Sequence, residues 1–367
     1  MMIEQYGWNE NWQVKWDGMP HNLEQEQVSN NRIPGRITGD FGSKYRVITH
    51  TGETWGELSG KLRHTVTDSG ELPAIGDWVS LVMQDGGEHA IIHGLLPRHS
   101  VISRKAAGNT PAEQIVAANV DTLFLVSALN DDFNVRRMER YLIMAWNSGA
   151  SPVILLTKAD LCHEAEIRIA EMEQAAPGVP VHAVSALLGD GRDELLPYIR
   201  SGQTVALTGS SGCGKSTMVN WLSGQNLQLT QDVREGDSRG RHTTTHREMF
   251  VLPEGGIIVD TPGMRELQLW EDEGGLDLAF GDISSLAAEC RYSDCSHERE
   301  EGCAVLAAVS SGQLEEKRLT NYRKTQKELR FQNSKEQRHK RKAAASTGKT
   351  SAPRPRKTSW QQQLEEY

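Results

Sequence analysis

Eight consecutive residues, Gly209-Ser210-Ser211-Gly212-Cys213-Gly214-Lys215-Ser216, have the composition and spacing of a phosphate-binding loop. Glycines at both ends let the backbone curl so that its N–H groups point at phosphate oxygens. Lys215 then reaches the β- and γ-phosphates, the Ser216 hydroxyl is placed to ligate Mg²⁺, and Thr217 joins the expected contact set. Such a loop does not choose between ATP and GTP. Thr157-Lys158-Ala159-Asp160 does, because Asp160 can accept two hydrogen bonds from the N1 and N2 donors of guanine, which adenine lacks. The stem of Lys158 packs along the base plane. Ser185-Ala186 offers a further backbone N–H to the base near Ala186. In Asp260-Thr261-Pro262-Gly263, Asp260 is suited to Mg²⁺ and the Gly263 N–H to the γ-phosphate.

Between loop and Asp-x-x-Gly lies Arg239-Gly240-Arg241-His242-Thr243-Thr244-Thr245, a polar stretch with three hydroxyls. Thr244 is the expected Mg²⁺ contact of this segment, competing with its two threonine neighbours. Hydrolysis is the least complete part of the pattern. The position after Gly263, where many GTPases carry a water-orienting Gln, is Met264, which cannot polarise water. His242 is the nearest candidate for the missing group and His246 a poorer one, while Arg239 and Arg241 could contribute charge. The candidate catalytic set is therefore His242, Lys215 and Thr244.

These residues need a scaffold that brings them to one edge. Gln203–Thr208 reads as a short buried strand entering the loop and Lys215–Leu222 as the helix leaving it, whose N-terminal dipole faces the anion. Ser151–Leu156 and Gly256–Val259 are apolar runs fitting buried parallel strands, and Val181–Val184 leads into Ser185. Each motif thus falls at the carboxyl end of a strand, where α/β sheets bind ligands.

The order is unusual: base motif and Ser-Ala precede the phosphate loop, and Asp-x-x-Gly follows it. This resembles the circularly permuted GTPases, and most closely the ribosome small-subunit-dependent GTPase A (RsgA-like) family, over about residues 31 to 330. Ser103-Arg104-Lys105-Ala106-Ala107-Gly108 and Ala117-Ala118-Asn119-Val120-Asp121-Thr122 share in the likeness. The resemblance implies a GTP hydrolase with Mg²⁺, stimulated by the small ribosomal subunit, acting in that subunit's maturation and binding its rRNA. It also points to His242. Thr157 departs from the family's usual Asn, removing an amide that ties the base loop to the phosphate loop; nucleotide affinity is expected to suffer more than nucleotide identity. In the permuted order Met264–Trp270 becomes the exit toward the C-terminus, so a switch there would pull on residues 275–340. The reading from another class is a nucleotide-regulated RNA-binding module without physiological turnover; a P-loop ATPase or small-molecule kinase is a third, separated by whether GDP or ADP binds better.

Cys290, Cys295, His297 and Cys303 supply four soft or borderline ligands, a closed set for one structural Zn²⁺. The spacing departs from common finger patterns yet matches the family. Disulfides are disfavoured, since no secretory signal or apolar spanning run is present and the chain reads as cytoplasmic, without a membrane partner.

From Arg32 to about Ser103 short alternating stretches broken by glycines suggest a five-stranded barrel of the OB type. Lys44, Arg46, Lys61 and Arg63 are candidates for an RNA-facing surface, or else an ordinary solvated face. Trp8, Trp12 and Trp16 form one stripe if their segment is helical, docking on this chain or a partner; disorder is the alternative. The chain carries a net charge of −9, yet residues 313–360 hold fifteen Lys and Arg against four Asp and Glu. That asymmetry marks a basic arm, suited to salt-dependent RNA contact or to solubility alone. Glu315 to about Arg338 reads as helix and residues from Ala343 on as tail.

The expected architecture is an α/β P-loop GTPase domain, circularly permuted, with an N-terminal OB-type barrel and a small C-terminal zinc-binding helical domain. The expected divisions are a flexible extension (1–30), the barrel (31–105), the GTPase domain (106–273), the zinc domain with its basic helix (274–342) and a disordered basic tail (343–367). A monomer is expected, binding GTP or GDP and the small ribosomal subunit.

Overall fold

The computed structural model describes residues 2–19, 31–66, 69–105, 113–225, 247–260 and 273–347. Two short helices, α1 (Met2–Gln5) and α2 (Glu10–Asp17), precede the barrel. The Asn9 side chain caps α2 by accepting from the Trp12 N–H at 3.2 Å. The segment expected to be flexible is therefore ordered over these residues, and the reason is local. Trp8 and Trp12 pack on the fully buried Trp78 with ring centroids 4.9 and 5.8 Å away, burying Trp12 and covering part of Trp8.

Strands β1 (Arg32–Asp40), β2 (Tyr45–Thr49), β3 (Gly52–Leu58), β4 (Trp78–Gln84) and β5 (His89–Leu95) pair in the order β1-β2-β3-β5-β4, and β4 returns to β1 to close a five-stranded barrel. Helix α3 (Gly60–Thr65) leads out of β3. Ile37, Val47, Val79, Leu81 and Ile92 fill the barrel interior. A hairpin of β6 (Val101–Lys105) and β7 (Glu113–Ala118) crosses the boundary expected at 105/106 and leads into the nucleotide domain.

That domain is built on β8 (Thr122–Ala128), β9 (Ser151–Thr157), β10 (Val181–Val184), β11 (Thr204–Gly209), β12 (Arg247–Val251) and β13 (Ile257–Asp260), ordered β10-β9-β8-β11-β13-β12. The first five of that order run parallel, and β12 is antiparallel to β13. Strand β8 is buried along its whole length, as expected of a central strand covered on both faces. Helix α4 (Val135–Ser148) follows it, capped by the Asn134 side chain on the Arg137 N–H and ended by left-handed Gly149. Helices α5 (Ala165–Ala175) and α6 (Lys215–Ser223) complete the layers.

Barrel and nucleotide sheet are one hydrogen-bonded surface, because β1 pairs antiparallel with β12 at Gly39↔Glu248 and Asp40↔Arg247. The buried Arg36 side chain adds a second joint, donating to the carbonyls of Tyr6, Gly76 and Asn119 and to Thr204 Oγ1 on β11. Burial pulls its guanidinium down to about 10, which still leaves it charged at neutral pH.

The C-terminal unit consists of α7 (Glu273–Ala279), α8 (Gly281–Ala287), α9 (Ala304–Ser310) and the long α10 (Glu316–Thr347). Buried Arg318 of α10 donates to Glu139 of α4 at 2.9 Å and to both carboxylate oxygens of Asp282, and its guanidinium lies 4.5 Å from the Phe280 ring. The helix runs past the end expected near Arg338 and through the first residues assigned to the tail; residues 348–367 lie outside the described part.

Candidate nucleotide site and metal centre

Strand registry puts the motifs at one edge. Gly209 ends β11 opposite Val126 of β8, Thr157 ends β9 opposite Ala128 of β8 and Val184 of β10, and Ser185 follows directly. Three glycines of the loop have positive φ, Gly209 at 159°, Gly212 at 78° and Gly214 at 95°. At Gly209 a Cβ would sit 2.3 Å from the Val126 carbonyl oxygen, so the turn needs glycine for space as well as conformation. Lys215 Nζ folds over the loop and donates to the carbonyls of Gly209 and Ser210 at 2.7 and 2.5 Å. Ser211 and Thr217 are exposed and Ser216 is partly exposed, while Cys213 is buried beneath the loop.

Thr157 is buried, and its hydroxyl donates to the Cys213 carbonyl at 2.6 Å. The expected loss of the tie between base loop and phosphate loop is thus corrected: a shorter side chain makes it. Lys158 takes the left-handed conformation with φ 58°, turning the chain so that Asp160 stands exposed at the rim. Asp160 Oδ1 accepts from buried Ser185 Oγ at 2.6 Å, which fixes the carboxylate, and Ala186 lies beside it in sequence. Exposed Leu161, Leu187 and Leu188 give this rim apolar surface, suited to the faces of a planar base.

One participant escaped the sequence reading. Asp132, in the turn between β8 and α4, hydrogen-bonds the Ser210 hydroxyl of the phosphate loop and pairs with Arg137 at 2.6 Å. Burial opposes its ionisation, but Ser210 and Arg137 outweigh that and hold its carboxyl below the usual carboxylate value. The available signal was a polar run, Asn130-Asp131-Asp132, at the carboxyl end of a buried strand. Asp260 ends β13 at this same edge. His242, Thr244, Gly263 and Met264 lie outside the described residues. A shallow depression at Leu196, Pro197, Arg200 and Glu254 sits at the amino ends of β11 and β13, the wrong end of the sheet for the motif residues.

In the C-terminal unit Cys290, Cys295, His297 and Cys303 place their ligand atoms within 4.8 Å of one another. Cys290 Sγ lies 3.8 Å from Cys303 Sγ and 3.6 Å from His297 Nδ1, and Cys303 Sγ lies 3.5 Å from that nitrogen. A tetrahedron with bonds of ~2.3 Å to sulfur and ~2.0 Å to nitrogen has edges of about 3.5 to 3.8 Å. Three of the separations therefore match that geometry, and all four groups lie close enough to hold one ion of that size. Burial pushes the His297 imidazole down, toward the neutral form that ligates.

Among the described residues no helix is long and apolar enough to cross a membrane. Strand order, loop and base-reading motif together define a circularly permuted GTPase.

The chain belongs to the RsgA GTPase family, whose model matches residues 95–270. It is 46% identical over 303 residues to small ribosomal subunit biogenesis GTPase RsgA 2 of Lactiplantibacillus plantarum, covering 83% of this chain and 85% of the relative. It is 43% identical to the RsgA of Opitutus terrae, covering 86% and 89%. A solved structure of YjeQ from Thermotoga maritima superposes with a TM-score of 0.64 at 27% identity, over 81% of this chain and 98% of that one. The circularly permuted GTPase YloQ matches in fold with a TM-score of 0.61 at 22% identity, over 86% and 99%. An ABC transporter model also matches residues 194–349, a span that contains the phosphate loop common to P-loop nucleotide-binding families.

Proposed function

We propose that this GTPase hydrolyses GTP to GDP and phosphate in response to the small ribosomal subunit and acts in that subunit's maturation through contact with its rRNA. The observation that carries the reading is the Asp160–Ser185 bond beside the Thr157–Cys213 tie, which fixes a guanine-reading carboxylate to the phosphate loop. The names of the similar proteins supply the ribosomal context.

In this reading the backbone of Gly209, Ser210, Ser211, Gly212, Cys213 and Gly214 cradles the phosphates. Lys215 leaves the loop carbonyls for the β- and γ-phosphates, and Ser216 and Thr217 contact the phosphates from the first turn of α6. Thr157, Lys158, Asp160, Ser185 and Ala186 hold the base, and Asp260 and Gly263 meet the γ-phosphate side. Ser216, Thr244 and Asp260 would hold Mg²⁺, which would supply positive charge against that developing on the phosphates. His242 orients the attacking water in place of the absent Gln. Cys290, Cys295, His297 and Cys303 would hold a structural Zn²⁺, their four ligand atoms filling the set such sites use and tying down the loop before α9.

Substitution of His242 by Ala is expected to leave GTP and GDP affinity unchanged while abolishing stimulated turnover. A variant with normal stimulated turnover would remove His242 from the mechanism. Competition of GDP against ADP tests the base assignment, with GDP expected to win.

A further inference from the structure

A row of residues crosses the sheet from the nucleotide domain onto the barrel: Glu248 of β12 stands opposite Gly39 of β1, Gly39 opposite Arg46 of β2, and Arg46 opposite Trp55 of β3. Gly39 leaves a gap in that row, into which the Phe41 ring and the Arg46 stem close; a Cβ there would meet Phe41 at 2.8 Å and Arg46 at 3.2 Å. The Arg46 guanidinium lies 5.3 Å from the Phe41 ring and 5.9 Å from the Trp55 ring, and the two rings meet edge to face at 5.2 Å. Trp55 nevertheless keeps 38% of its surface exposed.

The charges here are already matched. Lys44 pairs with Glu57 at 3.2 Å, and Arg46 lies 3.6 Å from Glu53 and 3.4 Å from Glu248. A phosphate would face four carboxylates' worth of competition, counting Asp40 at the end of β1. What the patch presents instead is an indole face beside a guanidinium, whose five donors are not used up by two contacts longer than a good hydrogen bond. Base carbonyl oxygens are acceptors of the kind such donors take. The patch lies on strands β2 and β3 and the β1–β2 turn, the face and loop by which five-stranded barrels of this kind grip oligonucleotides.

Resting on the rRNA-contact reading above, we propose that Phe41, Arg46 and Trp55 form a stacking site for one unpaired RNA base, read by ring and guanidinium and not by phosphate. Because Arg46 also pairs with Glu248, one residue into the strand that follows residues 226–246, base stacking bears directly on the nucleotide domain.

The test uses the full chain and two probes, a single-stranded oligoribonucleotide and a duplex of the same length, titrated at several salt concentrations. Trp55→Ala should weaken single-strand binding by about 5- to 100-fold, the usual cost of one lost stack, with the salt slope and duplex affinity unchanged. Trp55→Phe should restore most of the affinity. Equal binding of the single strand by wild type and Trp55→Ala overturns the proposal, as does a loss carried mainly in the salt slope, which would make the patch a phosphate site. GTP turnover with small subunits separates the two readings: a stimulated wild type whose single-strand binding is unchanged by Trp55→Ala sinks the stacking site alone, whereas unstimulated wild type sinks the ribosomal function and leaves the titration to decide the stacking site.

Discussion

Thr157 does with a hydroxyl what the family usually does with an amide, and the consequence is measurable. Thr157→Val keeps the shape but leaves the buried Cys213 carbonyl without its 2.6 Å donor. A buried acceptor left unmet costs about 1–3 kcal/mol of stability; where that loosens the preformed phosphate loop, GDP and GTP affinity should fall together, by up to roughly 100-fold, as read by fluorescent-nucleotide titration. A fall in GTP affinity alone would contradict the tie and point to a γ-phosphate effect. Asp132 gives a pH signature. Its carboxyl is held below the usual value, so its bonds to Ser210 and Arg137 contribute stability above the unfolded value of 3.8 that is lost as pH falls through the lower folded one. Asp132→Asn should therefore lower the melting temperature at neutral pH, and its gap to wild type should close below about pH 4. Loop, base motif and metal cluster were legible because each lies in one short stretch of sequence. The Asp132–Ser210 contact was not, since its partners are far apart in the chain and meet only through the registry of β8 with β11.

At the scale of elements, apolar runs announced β9, β11 and β13, because strands buried on both faces carry no polar alternation. Helix α10 was legible in its beginning and misjudged in its end. The Ala343-Ala344-Ala345 run that suggested a tail has high helix propensity and extends the last turns. Its anchorage depends on Arg318, which sits against Glu139 with both side chains buried. Arg318→Ala removes the main partner of buried Glu139, leaving it a hydrogen bond from Asn321 and the charge of Arg136. Unfolding in denaturant should show a loss of about 3–5 kcal/mol; a change below about 1 kcal/mol would assign the pair to the weak surface class. The cluster of Cys290, Cys295, His297 and Cys303, holding the proposed ion, would be a second anchor. Chelation should release one ion per chain and lower the melting temperature, with hydrogen exchange rising first around 288–306, because Cys303 Sγ also caps α9 on the Leu306 N–H. Unaltered exchange there after metal removal would mean the helices hold without it.

For the whole molecule, the net charge of −9 hides a basic arm on an otherwise acidic body, and only its distribution along the chain made an RNA partner a sensible expectation. Composition could not reveal that barrel and nucleotide sheet share the β1–β12 pairing, since two residues of pairing leave no pattern in either strand. Nor could it place the tryptophans: the stripe was visible, its target Trp78 was not. The proposal that the permuted site is a ribosome-responsive GTPase concerns the molecule as a whole. It is tested most directly by steady-state GTP hydrolysis of the purified chain alone, with small subunits and with large subunits, ATP serving as control. Strong stimulation of GTP turnover by small subunits only is the predicted result. Tight GTP binding with turnover indifferent to either subunit would contradict it and recast the protein as an RNA-binding module regulated by nucleotide.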